Sequence, residues 1–430
     1  MSSTTPVFKI IPTTQKYDWG KKGLSSKVAQ FATASKIPGF ELDENAPYAE
    51  LWMGTHVSSP SRLLSGETLS SHLAAHKELI GESVVKKFAD AGAADGNLPF
   101  LLKILAIAKA LSIQTHPDKK MAEQLHQEKP DIYKDPNHKP EMALALTDFT
   151  ALCGFLPLPK IAAYLLSTPE FAAIIPTAIA SRFTSTSQSA DPAGPEARAA
   201  LKDLFAAVMT ADEAAFKQQL AVLVQRYEHG SVVDVETDVR ELVLTLHEQF
   251  PADIGVFCAF MLNYVKMQPG DAIFLAAGEP HAYISGDIVE CMATSDNVIR
   301  AGLTPKLRDV PNLVGGLTYE AAAPAKHLVQ PRSFATPRPA APHTTLYDPP
   351  IPEFAVLRVV LAVGEDETHA PIDGPSVAIV TEGKGAVQWA ADKSVTVAEG
   401  EVFFVGAGTE LKLASSEGRN LVVYRAFVEA

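Results

Sequence analysis

Two stretches far apart in the chain follow one turn–strand–turn plan, and this internal repeat narrows the possible folds more than any other feature. Glu399-Gly400-Glu401-Val402-Phe403-Phe404-Val405-Gly406-Ala407-Gly408 matches Pro269 to Gly278 position by position, with Gly400 on Gly270 and Gly408 on Gly278. Glycines on either side of a short apolar run mark tight turns bracketing a strand. A unit that recurs implies two β domains of related design. Carrying the alignment forward sets Leu411 opposite His281, so the second copy keeps the turns and lacks the histidine.

Between the repeats the texture changes. Phe100 to Ile107 is a near-continuous apolar run that suits a buried strand, and Ser112 to His116 alternates as a strand does. Helices are expected at Lys27 to Ala34, Leu69 to His76 and Lys119 to Gln127. From about Pro159 to Phe250, apolar residues recur at helical spacing, as in Ala199 to Val208. In Val235 to Phe250 the residues Val239, Leu242, Val243 and Leu246 share one face. Phe183 to Pro195, rich in Ser, Thr and Pro, reads as a surface loop, and Ala321 to Pro352, rich in Pro and Ala, as a connector.

At 430 residues the chain exceeds one ordinary core. A composition 47% hydrophobic and 20% charged is that of a soluble globular protein. The net charge of −13 argues against a nucleic-acid partner, and it means that any anion site needs its own local cations. Cys153, Cys258 and Cys291 form no CxxC pair, so neither a disulfide framework nor a cysteine zinc site is expected. A reduced, cytoplasmic setting is the simplest reading. The start, Met1 to Pro6, lacks the pattern of a signal peptide, and no apolar run is long enough for a membrane span.

Polar chemistry concentrates in three places. His281 to Lys306 packs an imidazole, carboxylates, a guanidinium and an ammonium into one stretch. Tyr133, Asp135, Asn137, His138, Lys139, Pro140 and Glu141 form a second group, and Ser112-Ile113-Gln114-Thr115-His116-Pro117 a third. Buried charge is costly unless paired or metal-bound, so packing alone does not call for these residues. Gln114 and His116, two apart on a strand, point to one face, as two ligands in a barrel interior would.

The stretch Tyr133-Lys134-Asp135-Pro136-Asn137-His138-Lys139-Pro140-Glu141 resembles one signature of the type I mannose-6-phosphate isomerase (phosphomannose isomerase) family, and His281 to Lys306 resembles the other. Trp19-Gly20 and Tyr48 to His56 agree with it, and the resemblance spans essentially the whole chain. Met267 to His281 is similar to the second motif of a cupin, a small jelly-roll barrel. The implied fold is mainly β with an α insertion: two cupin-like jelly-roll barrels plus a helical domain. Residues 1–155 and 255–325 would form the metal-binding barrel, 156–254 the helical insertion, and 326–430 a degenerate barrel without metal.

The resemblance implies one Zn2+ per chain held by Gln114, His116, Glu141 and His281. It implies aldose–ketose isomerisation of mannose 6-phosphate and fructose 6-phosphate through a cis-enediol(ate), feeding GDP-mannose synthesis, glycosylation and wall polysaccharide. Arg300 would stabilise developing negative charge, and Asp296 or Glu290 would move the proton. The structural alternatives are an Asp296–Arg300 ion pair, or Glu290 anchoring Arg300. Lys103, Ser112 and Lys306 resemble the phosphate seat, with Lys139, Tyr283, Trp19 and His138 also expected around the substrate. The expected partner is a small-molecule hexose 6-phosphate, with no nucleic acid and no membrane, on a monomer. Two other classes compete. A non-catalytic metal-binding cupin acting as a sugar-phosphate sensor would lose these Lys, Arg, Asp and Glu positions. A metal-dependent oxygenase would favour histidines and carboxylates alone around iron.

Overall fold

The computed structural model describes residues 5–188, 191–334, 341–416 and 418–430. One long strand, His281–Ala293, organises the first barrel. Its first half pairs with Phe149–Phe155 and meets Ile113–Thr115, while its second half pairs with Phe100–Ile107 and Glu141–Ala145. Gly286 sits at the change of partners with φ of 120°, where an added Cβ would come 2.6 Å from the Asp148 carbonyl oxygen. Only glycine takes that conformation cheaply, so it lets the strand serve both groups of neighbours. Further strands, Glu50–Met53, Thr13–Gln15, Leu262–Met267, Ala272–Leu275 and Ile299–Gly302, complete a 10-stranded sheet.

Inward-facing alternate residues fill this barrel. Leu105, Ile107, Ala143, Ala145, Phe149 and Ile288 form one buried cluster. The same rows continue at the other end as Lys103, Glu141 and Glu290, so the period of two that packs the apolar half also delivers the charged groups.

The expected helices occur at Lys27–Ala34, Leu69–Ala75 and Lys119–Glu128. Each starts where a side-chain oxygen takes up free backbone N–H groups: Ser26 accepts from Val28 and Ala29, Thr68 from Ser71, and Asp118 from Met121. The insertion runs from the helix Leu158–Ser167 to the helix Thr237–Gln249, around a core that includes Phe171, Leu204, Phe205, Leu220 and Tyr227. The loop expected at Phe183 to Pro195 is shorter than its composition suggested. Helix Thr177–Thr186 runs through Phe183, and the next helix begins at Pro195; residues 189 and 190 lie outside the described residues. Burial of the Phe183 ring outweighs the modest helix propensity of Ser and Thr.

The second barrel pairs an 8-stranded sheet with a 4-stranded one. Val359, Leu361, Val380, Val387, Phe403, Leu413 and Val423 pack between them. Its 8-stranded sheet includes Val7–Ile11, which pairs with Val402–Val405. The start of the chain thus belongs to the second barrel, whereas Thr13–Gln15 joins the first, a departure from the expected division at 1–155. The connector expected from Ala321 to Pro352 contains two strands, Arg332–Phe334 and Ala341–Tyr347. Pro342 is accommodated where the ladder between them shifts register, so no paired N–H is missed. The repeat is real in the backbone: Gly270, Gly278, Gly400 and Gly408 all have positive φ, at 96°, 74°, 81° and 71°. The chain is mainly β with a helical insertion, as its sequence implied.

Candidate metal centre and adjoining cavity

His281 opens the long strand, and Gln114 is its register partner on Ile113–Thr115, so the two side chains share a face. Glu141 opens its own strand opposite Met292. His116 follows the short strand directly. The ligand atoms of His116, Glu141 and His281 lie within 4.8 Å of one another, all buried. His116 Nε2 is 3.3 Å from Glu141 Oε1, and His281 Nε2 is 3.4 Å from Glu141 Oε2.

The other ring nitrogens decide the tautomers. His116 Nδ1 lies 2.6 Å from the Asn297 carbonyl oxygen, and His281 Nδ1 lies 3.0 Å from that of Glu279. A carbonyl can only accept, so each Nδ1 carries the proton and each Nε2 presents a lone pair. Neither Nε2 has a hydrogen-bond partner, although both are fully buried. Burial also pushes His116 down to about 4, against the pull of Glu141, so the ring is neutral at ordinary pH. Two orphaned lone pairs facing a carboxylate are what a divalent cation relieves. Two neutral nitrogens and one carboxylate, with the Gln114 amide alongside, suit zinc, and carbonyls oriented behind the imidazoles are the usual support.

The two polar clusters of the sequence meet behind this centre. Asn297 Nδ2 donates to the Asp135 and Asn137 carbonyls at 2.7 and 2.9 Å, and Asn137 Nδ2 donates to the Thr294 carbonyl at 3.0 Å. These bonds fix the carbonyl that orients His116.

Buried charges surround the centre. Lys139 Nζ is 2.8 Å from Glu141 Oε1, and the Tyr283 hydroxyl donates to Glu141 Oε2 at 3.4 Å. Burial alone would raise the Glu141 carboxyl, but Lys139 and His116 hold it well below its ordinary value. Glu290 shifts the other way: burial and the Glu141 charge raise it, against Lys103. The neighbours Glu141 and Glu290 are therefore shifted in opposite directions, Glu141 down and Glu290 up. Lys103 Nζ lies 3.3 Å from Glu290 and 3.8 Å from Glu50, and 4.7 Å from the centre of the Trp52 ring.

A cavity of ≈ 370 Å³ opens beside Gln114, with Trp19, Ser112, Arg300 and Lys306 in its walls. Arg300 is the register partner of Gln114 on the side away from His281. Its guanidinium makes no ion pair among the described residues, and burial lowers its pKa.

Some expected neighbours are elsewhere. His138 is turned away from the centre: with Lys139 facing Glu141, the preceding side chain points oppositely, and its Nε2 pairs with Glu353 of the second barrel at 2.5 Å. It lines a separate cleft with Lys87 and Lys119 and is not in the wall of the cavity beside Gln114. Lys103 is committed to its two carboxylates and does not line this cavity, although its partner Glu50 does. Asp296 pairs with His56 at 3.3 Å, not with Arg300, and this hydrogen bond lowers its pKa. Glu290 anchors Lys103 rather than Arg300. Lys109 and Phe250 also line the cavity and were not singled out from the sequence, where neither lies in a motif.

Comparison with known proteins bears on all three parts of the chain. The family described as phosphomannose isomerase type I matches by its catalytic domain at residues 7–158, by its helical insertion domain at 174–262 and by its C-terminal part at 345–390. The mannose-6-phosphate isomerase of Cryptococcus neoformans is 50% identical over 99% of both chains, and that of Candida albicans 43% identical over 100% of both. Among solved structures, a mannose 6-phosphate isomerase from Salmonella typhimurium, bound to its substrate F6P and a zinc atom, superposes with a TM-score of 0.80. It is 28% identical, over 99% of this chain and 100% of the other.

Proposed function

The chain belongs to the type I phosphomannose isomerase family and is a mannose-6-phosphate isomerase, and from that premise we propose a zinc-dependent proton transfer through a cis-enediol(ate), with one zinc per chain. The observation that carries the metal is the pair of buried, unpartnered Nε2 atoms of His116 and His281 facing Glu141. Gln114, His116, Glu141 and His281 would hold the ion, which when bound supplies Lewis acidity toward the substrate oxygens.

The remaining roles fall to the chain's own groups. Arg300, in the cavity wall and without an ion pair among the described residues, is placed to meet negative charge developing on the substrate. Of the two candidate carboxylates, Glu290, raised by burial and by the Glu141 charge, suits proton transfer better. Asp296, held low by His56, suits it less. Ser112 and Lys306 face the cavity where the phosphate would sit, and Trp19 closes one wall. Tyr283 and Lys139 act on Glu141, keeping its carboxylate ionised and oriented. The sensor alternative lapses with the family assignment, and the cation positions it would have lost are present.

Three buried, unpaired cysteines support a reducing, cytoplasmic setting. There the reaction would supply mannose 6-phosphate for GDP-mannose, and hence for glycosylation and wall polysaccharide. Turnover in D2O tests the chemistry. Deuterium should enter C1 of fructose 6-phosphate and C2 of recovered mannose 6-phosphate. Complete retention of the substrate hydrogen with no exchange would instead indicate a hydride shift and remove the enediol(ate).

A further inference from the structure

A phosphate dianion on a chain of net charge −13 must be held by cations that are not already neutralised. Lys103 does not meet that condition, since two carboxylates lie within 3.8 Å of its ammonium. The cavity offers three other cations: Arg300, Lys306 and Lys109. Among the described residues, neither Lys306 nor Lys109 pairs with a carboxylate. We propose that Lys109 is a phosphate-binding residue of this enzyme and that the helical insertion sets its position. The proposal rests on the isomerase reading for the identity of the substrate.

The backbone from Ala108 to Leu111 is pinned from three directions. Ala108 and Lys109 donate to the Trp19 carbonyl at 3.0 and 3.2 Å, and Leu111 donates to that of Tyr283 at 2.8 Å. Ala110 donates to Gln249 Oε1, at the end of the last insertion helix, at 2.8 Å. The next residue, Phe250, places its ring 4.5 Å from Lys109 Nζ. An aromatic face orients an ammonium without cancelling its charge, unlike the carboxylates around Lys103. The fixed loop ends in Ser112, whose hydroxyl adds a donor on the same cavity. The insertion therefore contributes Gln249 and Phe250 to a clamp that presents Lys109 and Ser112 together. A lysine held in this way favours substrates carrying a phosphate over the free sugar.

Lys109→Gln, Lys109→Arg and Phe250→Leu test this in the full-length enzyme, with mannose 6-phosphate kinetics and with calorimetric binding of inorganic phosphate. Lys109→Gln is expected to raise KM about tenfold with kcat within about twofold, and to weaken phosphate binding by a similar factor. Lys109→Arg should keep most of both, and Phe250→Leu should fall between. Unchanged KM and unchanged phosphate binding in Lys109→Gln would overturn the proposal, as would a loss confined to kcat. Weakened phosphate binding in Lys109→Gln, with no turnover of mannose 6-phosphate by the unsubstituted enzyme, would support Lys109 while overturning the isomerase reading.

Discussion

Replacing Lys103 with methionine separates a charge-balancing lysine from a substrate ligand. Its ammonium lies 3.3 Å from Glu290 and 3.8 Å from Glu50, and all three side chains are at most 10% exposed. At an effective dielectric of about 20, contacts at these distances are worth roughly 4–5 kcal/mol each before desolvation is counted. Desolvation offsets most of that for the intact group, but removing one partner strands the other charges, at a cost of about 3–5 kcal/mol. Urea unfolding of metal-free protein, followed by circular dichroism, should show that loss in Lys103→Met. Adding Glu290→Gln should restore much of it, because a neutral amide needs no counter-ion. The pH dependence has a definite sign. Glu290 already has a folded pKa above its ordinary 4.5, so the folded state binds its proton more tightly and stability falls as pH rises through the folded value. Without Lys103 that value climbs further, so the deficit should be smaller at pH 5 than at pH 8. An unchanged urea midpoint, with only a raised KM, would refute this account of Lys103.

Four further outcomes follow from the geometry. Glu141→Gln and His281→Ala should each drop bound zinc well below one per chain by elemental analysis and cut turnover by about 10²-fold or more. Arg226→Met, in the insertion, should cost about 3–5 kcal/mol in chemical unfolding with KM unchanged, because it strands the buried Glu170 and Glu236. Glu236 is lowered from its ordinary 4.5, burial being outweighed by Arg226 and Thr168, so the insertion should hold above that pH and loosen in acid below it, as circular dichroism would report. His138→Ala should lower stability by roughly 1.5–3 kcal/mol through the lost Glu353 contact while leaving KM within about twofold; a large rise in KM would return His138 to the substrate.

Much of the first barrel was legible because its rows obey a period of two. Phe100–Ile107 is a near-continuous apolar strand interrupted by Lys103, and the alternation of Ser112 to His116 marks the short strand Ile113–Thr115. The turn glycines of the repeat were readable because positive φ leaves few alternatives to glycine. Other features carry no local signal. Val7–Ile11 finds its partner at Val402–Val405, at the other end of the chain, and nothing in its five residues names that neighbour. The strand Ala341–Tyr347 was hidden by Pro342, which the register shift accommodates. Within the site, the sequence brought the polar clusters together but could not assign their pairings. That Lys103 spends its charge on Glu290 and Glu50, that His138 turns to Glu353, and that Lys109 faces the cavity all depend on which side of the backbone each chain segment presents.

The central claim is that His116, Glu141 and His281, with Gln114, form the metal centre on which mannose 6-phosphate isomerisation depends. Its most direct test is a zinc titration of metal-depleted enzyme, following fructose 6-phosphate formation from mannose 6-phosphate in a coupled assay. Activity should rise from near zero in proportion to added zinc and level off at one ion per chain, while Glu141→Gln stays flat. Full turnover by the metal-free protein, or an unaltered titration in Glu141→Gln, would contradict it.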